Sequence, residues 1–298
     1  MNETAHISVM PQEAMHWLNI KPGAVIVDGT LGLGGHSSLI AQALGKDGHL
    51  IGIDRDSSSL AEAKKRLASF SARIDLLQGS FNDVKRILAA VKVQAIDGVL
   101  LDLGISSFQL DDEQRGFSFL RSGPLDMRMD QTQGVTAADL VNSLKEEELA
   151  RIIEEFGEDR LARRIAKAII RKRCEQKILT TDQLAQAVLS ALPGSYSRGR
   201  IHPATRTFQA LRIVVNKELE VLKEALMNWF EVLNPQGRMC VISFHSLEDR
   251  IVKNTFKDFA IQGQGEILTK KPLEPTDAEC NVNARSRSAK LRAIERGV

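Results

Sequence analysis

The stretch from Val25 to Ser38 constrains this chain more than any other. A short apolar run, Ala24 to Val27, leads to Asp28 and then to four glycines, Gly29, Gly32, Gly34 and Gly35, before a helix expected to begin near His36 or Ser37. Such a run reads as a parallel strand covered on both faces. Glycine admits positive φ and lets backbone approach a ligand with no Cβ between them. The helix after the turn directs its free N–H groups and positive dipole end back at it. Strand, glycine turn and helix in this order make a binding place for a nucleotide or nucleoside.

The spacing narrows the ligand. A dinucleotide fingerprint needs a third glycine at its sixth position, and counted from Gly32 that position is Ser37. An acid at the strand end followed by small residues (Asp28, Thr30, Gly32, Gly34) suits a ligand with a charged amino group and no pyrophosphate, such as S-adenosylmethionine. A second strand, His49 to Asp54, ends in an acid about 20 residues past Gly34, where ribose hydroxyls are accepted. Asp54 suits both cofactors, so a nicotinamide-dependent oxidoreductase stays open beside a methyl-transfer enzyme.

A chain of 298 residues with 43% hydrophobic content can bury a sizeable core. Its 40 Lys and Arg against 38 Asp and Glu leave a net charge of +2, so any polyanion signal must come from clustering. Cys174, Cys240 and Cys280 lie far apart and show neither metal nor disulfide spacing, which fits a reducing cytoplasm and no metal. No apolar run reaches the length of a membrane helix, and no secretion signal is expected.

Strands at Ala24 to Val27, His49 to Asp54, Arg73 to Leu77 and Ile96 to Asp102 alternate with helical patterns, which predicts an α/β fold with a doubly wound parallel sheet. The next buried strand, Arg238 to Phe244, comes after a turn at Asn234 to Gly237. That gap far exceeds a crossover. It predicts an inserted all-helical domain at 110–205, with 1–109 and 206–298 forming the sheet domain. The insert's helices are expected at Glu146 to Phe156 (stopping at Gly157), at Arg160 to Arg173, and from a cap at Thr181 to Leu192. One long helical pattern from Ala204 to Leu233 would return the chain to the sheet. The tail supplies a possible hairpin, Glu266 to Thr269 with Ala289 to Ile294, and Asp277 to Ser288 reads as loosely structured.

Open parallel sheets bind ligands beyond the carboxyl ends of their strands. Asp28, Asp54, Phe81, Asp102 and His245 all fall there. Asp102 is the candidate catalytic residue, because a carboxylate at the end of a central strand is costly to bury unpaired. As an acceptor it would make the amine of a base more nucleophilic and help remove its proton. Phe81 and His245, taken alone, read better as core and as a capping or packing residue. Arg160, Arg163, Arg164, Lys167 and Arg171 share one helical face, the loop Ser195 to Arg206 adds Arg198, Arg200 and Arg206, and Arg285 to Arg296 adds five more cations against Glu295. Three basic clusters in a nearly neutral chain point to RNA. A non-catalytic RNA-binding module is the remaining alternative.

The blocks His6 to Met10, Asp28 to Ser37, Ile53 to Asp56, Leu100 to Ser107, Gln109 to Asp112, Arg115 to Phe119, Gly123 to Asp130, His202 to Arg212 and Ile242 to Arg250 resemble those of the RsmH (MraW) family of bacterial ribosomal RNA methyltransferases. Phe108 departs from the proline usual in that family. The resemblance implies a class I S-adenosylmethionine-dependent methyltransferase sheet, Rossmann-like, with a helical insert, that makes N4-methylcytidine in the decoding region of 16S rRNA. It implies cofactor contacts at Gly34, Gly35, His36, Asp54, Phe81, Asp102 and Gln109, and it upgrades Phe81. The candidate substrate contacts are Arg198, Arg200, His202 and Arg206. The expected partner is 16S rRNA or the small ribosomal subunit, with no membrane, in the cytoplasm. Oligomeric state is left open, with a homodimer as the candidate.

Overall fold

The computed structural model describes residues 8–105, 110, 112–132, 134–193 and 202–298. By its contacts the chain divides into two compact units, Met1–Gly104 with Leu219–Val298, and Ile105–Glu218.

In the first unit, α1 (Pro11–Leu18), β1 (Val25–Asp28), α2 (Gly35–Leu44), β2 (His49–Asp54), α3 (Ser57–Leu67), β3 (Arg73–Gln78), α4 (Val84–Val91) and β4 (Ile96–Asp102) follow in turn. The described strands form one seven-stranded sheet in the order β3-β2-β1-β4-β5-β7-β6, which includes three strands from the end of the chain. From β1 the chain winds outward to β3, then crosses to β4 on the other side of β1. The C-terminal ends of β1 and β4 therefore flank a topological switch point, where such sheets take their ligands.

Strand side chains alternate between two cores, as the two-residue period requires. Val27, Ile51, Val99, Leu101 and Val241 face one layer that holds α4, while Ile26, Leu50, Leu100 and Ile242 face the layer of α1, α2 and α3. The buried apolar residues of β1 and β4 explain the runs that marked them in the sequence.

The second unit holds α5 (Ala137–Ser143), α6 (Glu146–Gly157), α7 (Ala162–Glu175), α8 (Thr181–Ser190) and α9 (Ala204–Asn216) around its own core, which includes Leu149, Ile153, Ile165, Ile169, Leu184, Val188, Phe208 and Leu211. The cap of α8 is Thr180 rather than Thr181: it forms a capping box with Gln183, while Thr181 is buried and donates its hydroxyl to the Arg121 carbonyl (2.9 Å). Gly157 is the last residue of α6 and not a glycine cap, since Glu158 takes the left-handed conformation (φ 48°). A Cβ on Gly157 would sit 2.7 Å from the Arg206 carbonyl oxygen, so the glycine is there to let α6 and α9 approach.

The long helix expected from Ala204 to Leu233 is two helices, α9 and then α10 (Glu218–Glu231), with Lys217 left-handed between them (φ 51°). Asn216 explains the break: its Oδ1 accepts from Met129 N (2.8 Å), and its Nδ2 donates to the Met127 carbonyl (2.8 Å) and to the Arg212 carbonyl (2.9 Å). Because α9 packs against α6, the helical unit runs from 105 to 218, where the sequence pattern had placed an insert at 110–205.

Back in the first unit, β5 (Leu233–Ser243) is followed by α11 (Ser246–Ile261), β6 (Gly265–Ile267), α12 (Asp277–Val282) and β7 (Lys290–Arg296). Residues 234–237, expected as a turn, are a bulge inside β5: Ile96 opposes Leu233 and Gly98 opposes Arg238, so four residues of β5 stand against the single Asp97 of β4. The tail hairpin is present, with β6 and β7 antiparallel. Asp277 to Ser288, read as loose, is instead α12 and a short 3₁₀ turn, capped by Thr276 and Asn283. Among the described residues no helix is long and apolar enough to cross a membrane.

Candidate cofactor pocket and catalytic acid

Asp28 ends β1 and is buried. Its Oδ1 accepts from Thr30 N (3.2 Å), and its Oδ2 accepts from the Ser37 hydroxyl (2.6 Å), which ties the strand end to the first turn of α2. Burial nevertheless pushes its carboxyl up to about 6. The turn is fastened on its other side by Asp54, whose Oδ2 accepts from Gly32 N and Oδ1 from Asp56 N, both at 2.8 Å. Burial raises Asp54 to about 6 as well. Each of its oxygens keeps a lone pair for an incoming hydroxyl.

Gly34 is the left-handed cap of α2 (φ 78°). Gly35 has a different reason to be glycine: a Cβ there would strike the Ser8 hydroxyl, so the missing side chain makes room for the chain's own N-terminal segment.

His36 is buried with its Nε2 2.9 Å from the Val9 carbonyl oxygen. A carbonyl only accepts, so Nε2 carries the proton and Nδ1 presents a lone pair. Nδ1 lies 3.6 Å from Asp102 Oδ2. The pair is not an ion pair at neutral pH, because burial holds the imidazole down at about 4.

Asp102 ends β4. Its backbone N–H donates to the Thr30 hydroxyl (2.6 Å), which joins it to the β1 turn. Its Oδ1 is buried and, among the described residues, has no hydrogen-bond partner. Burial first, then the charges of Asp28 and Glu248, raise its carboxyl well above the usual range. A buried acceptor without a donor is expensive, and the group that suits it carries N–H bonds.

Phe81, beyond β3, packs at the edge of the sheet core, and its carbonyl accepts from Trp229 Nε1 (2.7 Å). His245 is the N-cap of α11: its Nδ1 accepts from Glu248 N (3.3 Å), and the buried Glu248 carboxylate accepts from Phe244 N (2.8 Å). It is the capping residue that its lone position suggested. In the helical unit, His202 is exposed and stacks on Phe119 (ring centroids 4.4 Å), and Arg206 is exposed and donates to the Glu158 carbonyl (2.9 Å). Gln109, Arg198 and Arg200 lie outside the described residues.

Sequence reasoning read Thr30 only as a small residue of the turn and Ser37 only as a helix start and fingerprint position, and it gave Glu248 no role. Thr30 links the two strand ends and Ser37 holds Asp28, and both sit inside the glycine block. Glu248, three residues after a helix cap, carries the spacing of a capping box.

A glycine-rich turn without a pyrophosphate fingerprint, set at the switch point of a doubly wound sheet, belongs with the class I methyltransferase sheet, and the fold here is of that class. The family model described as the MraW methylase family matches residues 3–297, so the chain belongs to the MraW methylase family. It is 52% identical over 306 residues to the ribosomal RNA small subunit methyltransferase H of Syntrophotalea carbinolica, covering 98% of each chain. It is 50% identical over 308 residues to the protein of the same name from Geobacter sulfurreducens, covering 98% of this chain and 99% of that one. The chain is thus a methyltransferase with S-adenosylmethionine as its methyl donor, and the nicotinamide alternative is set aside.

Proposed function

We propose that this protein methylates the exocyclic N4 amine of a cytidine in the decoding region of 16S rRNA, within the cytoplasm, on the rRNA or the small ribosomal subunit. The unpartnered Oδ1 of Asp102 carries this reading, because it is the acceptor that an amine needs. Relatives about half identical over their whole length are named for small-subunit rRNA methylation, which supports the substrate.

The residues present fit the cofactor. Gly34, Gly35 and His36 in the turn, Asp54 for the ribose, Phe81 beside the base, Asp102 toward the amino group, and Gln109 would hold it. When bound, S-adenosylmethionine supplies an electrophilic methyl group on a sulfonium. The chain's own work is placement: an aligned nucleophile gains most of what a loose one lacks. The cytosine amine is a weak nucleophile because its lone pair is delocalised into the ring. Asp102 accepts one of its N–H bonds, which favours a pyramidal nitrogen and gives the departing proton a place to go. The raised proton affinity of Asp102 suits that second task. The sheet unit is the catalytic part, and the helical unit holds the RNA through Arg198, Arg200, His202 and Arg206.

Transfer of labelled methyl to small ribosomal subunits tests the proposal, with nucleoside mass spectrometry to locate the label. N4-methylcytidine should form with wild-type protein and be lost with a folded Asp102→Ala variant. Label on another atom, or undiminished transfer by the variant, would refute it, and RNA binding with no transfer would favour the non-catalytic alternative.

A further inference from the structure

The helical unit carries a cleft of about 560 Å³. Glu146 at the start of α6, Arg164, Lys167 and Arg171 on α7, and Ser190 and Ala191 at the end of α8 form its walls. We propose that this cleft grips the phosphodiester backbone of the RNA substrate, as an anchor that reads phosphates and no bases. The proposal rests on the RNA reading above and adds a place and a mode of contact to it.

Three observations carry it. Arg164, Lys167 and Arg171 are exposed, and among the described residues none forms an ion pair or hydrogen bond. Cations further along the same helix are used internally: Arg173 donates to the carbonyls of Val141 and Leu144, and Lys172 pairs with Glu175. Second, the spacing of three and then four residues puts the three cations on one face of α7, over about 10 Å of helix axis, while Ile165 and Ile169 fill the core. Among the described residues only one acid, Glu146, lines the cleft, so three positive charges against one negative leave a local excess of two in a chain whose total is +2. Like charges held together this way repel unless an anion joins them. Third, the lining has no aromatic ring on which a base could stack and no Asn or Gln to read its edge. That removes stacking and amide readout and favours contact with the backbone.

The test uses the full chain. Arg164→Glu/Lys167→Glu/Arg171→Glu is compared with wild type and with a control, Lys46→Glu/Lys85→Glu/Lys257→Glu, which makes the same change of charge at exposed sites elsewhere. Circular dichroism checks folding, and the neutral Arg164→Gln/Lys167→Gln/Arg171→Gln form repeats the comparison without charge reversal. Affinity for transcribed 16S rRNA is measured over a range of salt, with KM and kcat on small subunits and S-adenosylmethionine affinity by calorimetry. The cleft variant should bind RNA at least tenfold more weakly, with a log–log salt slope shallower by about 2 to 3. Its KM for subunits should rise, with kcat and cofactor affinity unchanged. An unchanged slope and KM, an equal loss in the control, or a cleft-dependent preference for particular bases would overturn the proposal. If wild type methylates normally while the cleft variant matches it throughout, the anchor fails and the enzymatic reading stands. If wild type binds RNA through the cleft yet transfers no methyl, the anchor stands and the enzymatic reading fails.

Discussion

Asp102 sets function against stability at a single residue. Its acid is raised in the folded state, so the folded protein holds that proton more tightly than the unfolded chain does, and wild-type stability falls as pH rises from the unfolded value toward the folded one. An Asp102→Asn variant carries no such charge. It should be inactive in methyl transfer yet melt higher than wild type, with the gain growing as pH rises and vanishing as the wild-type acid protonates, as calorimetry at several pH values will show. Asp28 and Asp54, each near 6, act in the same sense between about pH 4 and 6, whereas His36, held near 4, opposes them by losing stability as pH falls below 6.5. At Gly35 the expected effect is steric. Gly35→Ala should cost about 1 to 2 kcal/mol by forcing the Ser8 hydroxyl aside. Adding Ser8→Ala should restore most of the loss in urea unfolding, because only the hydroxyl oxygen is in the way.

Between elements, the break after α9 depends on one amide. Asn216→Ala removes three hydrogen bonds and strands Met129 N–H and the Met127 carbonyl, so it should cost about 2 to 3 kcal/mol in denaturant unfolding. The periodicity from Ala204 to Leu233 gives no hint of this break, since both helices keep an apolar stripe in phase with a single long one. The same limit applies at β5, where residues 234–237 have turn composition and still remain in the strand. Their backbone is held by Asn234, whose side chain donates to Asp97 Oδ1 (2.8 Å), an acid on the neighbouring strand that no local pattern reveals.

For the whole molecule, the sheet unit should be the part that a cofactor steadies. Saturation with S-adenosylmethionine at about 100 times its Kd should add about 2.7 kcal/mol to stability. Hydrogen exchange should slow most at residues 28–37 and 54–56, and little in the helical unit. Slowing spread evenly over both units would contradict that assignment. The helical unit has a core of its own, built from Leu149, Ile165, Leu184, Phe208 and their neighbours. The alternation of strands and helices, the glycine turn, and the acids at the ends of β1, β2 and β4 were all legible in the residues, because periodicity, β-branching and glycine act over a few positions of chain. Tertiary structure alone decided that Asp54 binds the turn at Gly32, that Ser8 fills the space beside Gly35, and that Gly157 serves packing rather than capping. It also decided that Asp102 keeps one oxygen without a donor among the described residues. Each of these depends on which distant group arrives at a given point in space, and a pattern confined to neighbours along the chain does not hold that information.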